Sequence, residues 1–103
     1  MKDYSYKEEV KYTLELFKSK GFTLTGFYDE EESYTTNDID TIIEGVLSVD
    51  CSNVEFDHKD GYLNLFLVLG NEPGVAICDY GCSKELDSIV SLIHDEIYNH
   101  FNP

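Results

Sequence analysis

Between Tyr62 and Leu69 a single residue, Asn64, is polar. The run is strand-sized and far short of the ~20 apolar residues a membrane span needs. Such a near-continuous apolar run suits a central strand covered on both faces. Ahead of it Val54–His58 alternates, with Val54, Phe56 and His58 on one face and Glu55 and Asp57 on the other. Lys59-Asp60-Gly61 is a turn signal that joins the two segments as a hairpin. Behind it, Glu72-Pro73-Gly74-Val75 places proline and then glycine at the centre of a type II turn. Val75–Tyr80 then reads as the third strand of an antiparallel meander.

Helical spacing surrounds this meander. Ser5-Tyr6-Lys7-Glu8 has the form of a capping box. Tyr6, Val10, Leu14 and Phe17 follow at helical intervals, and Gly21 is a stop, so a helix is predicted over about residues 6–20. Phe22–Tyr28 is available as a fourth, edge strand, interrupted by Gly26. Asn37 is positioned to cap a second helix, whose apolar stripe is Ile39, Ile42, Ile43, Val46 and Leu47. Gly45 is a weak point within it. Ser83 is placed to cap a last helix with Leu86, Ile89, Val90, Ile93, Ile97 and Phe101 on its buried side. The 103 residues therefore read as one α+β domain in the order α-(β)-α-β-β-β-α, with no repeat or linker.

Charge narrows the function. The chain has 21 acidic residues, 7 lysines and no arginine, for a net charge of −14. Residues 1–20 balance at +1, whereas residues 21–103 set 17 acids against Lys59 and Lys84, a balance of −15. Such a field repels nucleic acid and anionic membranes and attracts basic surfaces. Two lysines in that stretch cannot neutralise a phosphate backbone, so direct nucleic-acid binding is disfavoured. Met1–Lys20 has no apolar run of signal-peptide length, and Cys51, Cys78 and Cys82 form no secreted disulfide pattern. The expected compartment is a reducing cytoplasm.

Catalytic and metal signatures are weak. Cys78 and Cys82 lie four apart, with His94 and His100 beyond, which is not the paired spacing of a zinc site. The cysteines read as small buried apolar residues. Ser33, Ser48 and Ser52 sit in no nucleophile elbow. Asp29-Glu30-Glu31-Glu32 lacks the alternating acids and central glycine of an EF-hand loop. Gly70 and Gly74 flank a turn with no Walker-type lysine after them. Neither an enzyme, nor a metal, nor a cofactor is expected.

What remains is the acidic surface. Glu55 and Asp57 on a strand project about 6.6 Å apart, and Asp40 and Glu44 on adjoining helical turns about 5–6 Å apart. Both intervals approach the spacing of phosphates along one DNA strand, roughly twice the ~3.4 Å rise. The candidate partner-binding acids are Asp29, Glu30, Glu31, Glu32, Asp38, Asp40, Glu44, Glu55 and Asp57. Tyr28 and Tyr34 flank the acidic loop, either as apolar anchors or as partly buried structural residues.

Short length, acidity, many tyrosines and a compact α+β plan resemble the small anti-defence proteins of phages and mobile elements, among them DNA-mimicking anti-CRISPR and anti-restriction proteins. The resemblance also touches Leu67–Gly74, Ala76-Ile77-Cys78-Asp79-Tyr80 and the helix start Leu86–Val90. Members of this group share little sequence, so no binding residue carries over. The resemblance implies a stoichiometric inhibitor seated in the basic groove of a host defence nuclease, first of all a CRISPR effector. An acidic immunity protein that covers the cleft of a nuclease toxin is the alternative with the same physics.

Overall fold

The computed structural model describes residues 5–69 and 72–103. Helix α1 (Tyr6–Ser19) is followed by β1 (Thr23–Tyr28), β2 (Ser33–Thr35), α2 (Ile39–Leu47), β3 (Cys51–His58), β4 (Gly61–Val68) and β5 (Ile77–Cys82). A 3-10 turn (Lys84–Leu86) leads into α3 (Asp87–Phe101). The α+β class and the β3-β4-β5 meander stand as the sequence predicts. The sheet is wider than the meander, with five strands in the order β2-β1-β3-β4-β5, every neighbouring pair antiparallel.

The core lies on one side of this sheet. Leu24 and Phe27 of β1, Val54 and Phe56 of β3, and Leu63, Leu65 and Leu67 of β4 are buried there. Val10, Leu14 and Phe17 of α1, Ile42, Ile43 and Val46 of α2, and Val90, Ile93 and Ile97 of α3 meet them in one cluster. The expected alternation along β3 is present, with Glu55 and Asp57 turned to the opposite, exposed side.

Several expectations are corrected. β4 is not covered on both faces. Its odd-numbered leucines face the helices, but Tyr62 is 56% exposed and Asn64, Phe66 and Val68 are only half-buried on the far side. The segment read as an edge strand is internal, because β2, too short for a periodicity signal, pairs along its outer side. Ile89 of α3 is exposed, and the buried stripe runs through Leu86, Val90, Ile93 and Ile97. Cys78 is exposed, with Cys51 and Cys82 half-buried and all three free, so they are not core residues.

The caps differ in detail. Ser5 occupies the N-cap of α1 without a side-chain bond. Asp38, not Asn37, caps α2 and accepts from the Thr41 backbone N–H at 3.3 Å. The Ser83 hydroxyl accepts from the Tyr62 N–H at 3.0 Å and ties the helix entry to β4 instead of capping. The type II turn is present: Gly74 has φ +85° and the Val75 N–H bonds the Glu72 carbonyl at 3.1 Å. Gly70 and Asn71, quoted in the glycine and resemblance readings, lie outside the described residues.

Candidate functional site

The Asp29–Glu32 segment is the tight tip of the β1–β2 hairpin. Asp29 shapes it from within: its Oδ1 accepts from the Glu31 and Glu32 backbone N–H groups at 2.7 Å each, and its own N–H bonds the Glu32 carbonyl at 2.8 Å. Side chain-to-backbone bonds of this kind are what make Asp a turn residue. Glu30, Glu31 and Glu32 are left pointing into solvent from a tethered base.

That tip leans over the turn between α2 and β3. Asp29, Glu30 and Glu31 line one wall of an open cleft of about 290 Å³, and Val49, Asp50 and Cys51 line the other. The pairing Tyr28↔Asn53 explains the meeting, since it brings the start of the hairpin turn alongside the start of β3. Asp50 was invisible as a site residue in the sequence because it stands alone between Val49 and Cys51. Only the β1–β3 register brings it to the other acids.

Tyr34 shows how closely the acids gather. It points from β2 toward the helices, stacks on Phe27 with ring centroids 5.0 Å apart, and places its hydroxyl 3.5 Å from the Thr41 carbonyl of α2. Burial pushes the phenol pKa up, and the charges of Glu32, Asp29 and Glu44 push it further. Carboxylates from the hairpin and from α2 thus act on one hydroxyl.

The remaining candidates fall into different places. The Asp38 carboxylate is held below its ordinary range, first by the hydrogen bond from the Thr41 hydroxyl, with backbone bonds and the Lys18 charge adding. It serves α2 as a cap and sits in the field of a lysine. Asp40 and Glu44 are exposed on α2. Glu55 and Asp57 are on the sheet face opposite the helices, apart from the α2 acids. Tyr28 shares their face, where its hydroxyl accepts from Asn64 Nδ2 at 2.9 Å across the width of β3. Both tyrosines therefore have a structural part in the fold.

One acid of α1 is deeply buried. Glu9 is 1% exposed, and its Oε1 and Oε2 accept from the Gly74 and Ala76 N–H groups at 2.9 Å each. Among the described residues no group of three His, Cys, Asp or Glu side chains is gathered as metal ligands. No described helix is long and apolar enough to cross a membrane. No protein-family model, curated protein or solved structure matches the chain.

Proposed function

We propose that the chain is a stoichiometric inhibitor that presents an acidic, nucleic-acid-like surface to the basic groove of a host defence nuclease, first of all a CRISPR effector. The observation that carries this reading is the gathering of Asp29–Glu32, Glu44 and Asp50, drawn from three chain segments, around the β1–β2 hairpin. The stretch between Lys20 and Lys59 that carries them contains no lysine. A rigid cluster of like charge steers association with an oppositely charged groove and sets register there. Anchoring of the hairpin by Asp29 lowers the ordering cost that a flexible acidic loop would carry into binding.

The test is competition between this protein and the guide RNA or DNA of a purified CRISPR effector, with association rates measured across a salt series. Glu31→Lys with Glu32→Lys is expected to slow association by about tenfold at low salt and far less at high salt. The matched control is Glu8→Lys with Glu15→Lys, on exposed positions of α1. Glu9 cannot serve, because reversing it would bury an unpaired charge. Simultaneous binding of inhibitor and nucleic acid without mutual loss of affinity would refute groove competition.

A further inference from the structure

Among the described residues the sheet is covered on one side only. Opposite the helices, β1, β3, β4 and β5 present Tyr28, Asn53, Glu55, Asp57, Tyr62, Asn64 and Phe66, with Val68 and Asp79 at the margins. No described element lies over them. Registers fix the layout: Phe66 stands between Asn53 and Asp79, and Tyr62 stands beside Asp57. Tyr62, Phe66 and Val68 along β4, interrupted by Asn64 with its bond to Tyr28, are thus flanked by Glu55 and Asp57 on β3 and by Asp79 on β5. Neighbouring strands lie ~4.8 Å apart, so β3 with its two acids and β5 with its one are separated by about 10 Å. That is close to the ~10 Å width of an α-helix with its side chains.

From this arrangement we infer that the open sheet face is a second docking surface, and that its occupant is a basic amphipathic helix of a partner protein. Apolar side chains of that helix would rest on Phe66, Val68 and Tyr62, and its flanking lysines or arginines would meet Glu55 and Asp57 on one side and Asp79 on the other. Charge complementarity selects this occupant. Every ionised side chain that the four strands turn to this face is acidic, so a second copy would set the same acids against one another. An anionic membrane is repelled in the same way. The edge of β5 is a poorer place for an added strand, because the Asp79 carboxylate already takes the Tyr80 N–H at 2.8 Å. The inference goes beyond the groove reading and does not depend on it, since the hairpin end and the sheet face can be altered separately.

The probe is a designed helical peptide with leucines on one face and lysines along both flanks. Its controls are a scrambled peptide of the same composition and a version with glutamate for lysine. Amide shifts of the labelled full chain locate the contact. Changes centred on Asn53, Glu55, Asp57, Tyr62, Phe66 and Asp79 are expected. Phe66→Ala, and separately Glu55→Lys with Asp57→Lys, should each weaken binding by about tenfold, as removal of a central anchor does. Glu31→Lys with Glu32→Lys should change it less than about twofold, as expected for a distant, independent site. Two face variants are used so that a folding defect in one leaves the other informative. Shifts centred instead on the hairpin, or on exposed Leu92 and Ile89 of α3, would overturn the inference. Equal binding of the scrambled peptide would do the same. So would concentration-dependent shifts of the face without peptide, which would make the occupant a second copy, or shifts induced by phosphatidylglycerol vesicles, which would make it a membrane.

Discussion

Glu9 shows what one side chain does in a molecule with so many like charges. Its carboxylate reaches from α1 to the β4–β5 connection and takes two buried N–H groups that the sheet leaves without partners. Glu9→Ala would strand both donors, and a cost of about 2–4 kcal/mol is expected in urea unfolding. Loss of less than ~0.5 kcal/mol, the ordinary effect of a surface change, would show that the carboxylate is not holding the turn. Gly45 gives an opposite case. Helix propensity alone says that Gly45→Ala stabilises by up to about 1 kcal/mol. Yet a Cβ at that position would run into the Tyr34 hydroxyl and meet Phe27 Cε2 at 3.2 Å. Destabilisation of about 1–3 kcal/mol is therefore expected, the usual cost of overpacking. A rise in melting temperature would mean that Tyr34 yields easily. Neither role could be read from sequence. Glu9 sits on the same helical face as Val10 and Thr13, but its partners are 65 and 67 residues away. The reason for Gly45 is an aromatic pair, Phe27 of β1 and Tyr34 of β2, packed against α2.

Elements were more legible than residues because their signals are periodic. The 3.6-residue stripe through Val10, Leu14 and Phe17 and the two-residue alternation through Val54 and Phe56 both correspond to buried faces. What failed has a physical cause in each case. β2 is three residues long and cannot show a period. β4 looked doubly covered because Phe66 and Val68 are apolar, yet apolar side chains on a sheet face can be half-covered by one another alone. The core assignment has a direct test. Leu67 in β4 is 2% exposed and Ile93 in α3 is 3% exposed, so Leu67→Asp and Ile93→Asp each place an unpaired charge in the packed layer. Neither variant is expected to give a cooperative melt. Tyr62→Asp, a similar change on the same strand but on the open face, should melt near the parent. Similar melting of Leu67→Asp and Tyr62→Asp would place both sides of β4 outside the core and overturn the one-sided sheet.

For the whole molecule, the acidity was plain in the sequence, whereas its grouping was not. The run Asp29–Glu32 was visible, but Asp50 joins it only through the β1–β3 register, and Glu55 and Asp57 part from it because the sheet has two sides. The total charge has a consequence that separates stability from binding. With a radius of gyration of 12.8 Å, the molecule is little larger than the Debye length of ~10 Å at 0.1 M salt, so at lower salt each acid feels the others around it. A like-charge pair 10 Å apart costs about 0.4 kcal/mol in water before screening. Two lysines against 17 acids beyond residue 20 leave few attractive pairs to be lost when salt is added. The His58–Asp60 pair, at 3.8 Å, is charged only when the histidine is protonated. Sodium chloride should therefore stabilise the fold. Urea, an uncharged denaturant, is the right probe. The unfolding free energy is expected to rise by about 1 kcal/mol or more between low salt and roughly 0.5 M, the range over which screening becomes nearly complete. The same additions should slow association with a basic groove, so the two quantities move in opposite directions in one buffer series. A fold that weakens with salt would mean that attractive pairs outweigh repulsion. A fold that strengthens while association is unchanged would leave the acidity without a part in steering, and the groove reading would lose its kinetic support.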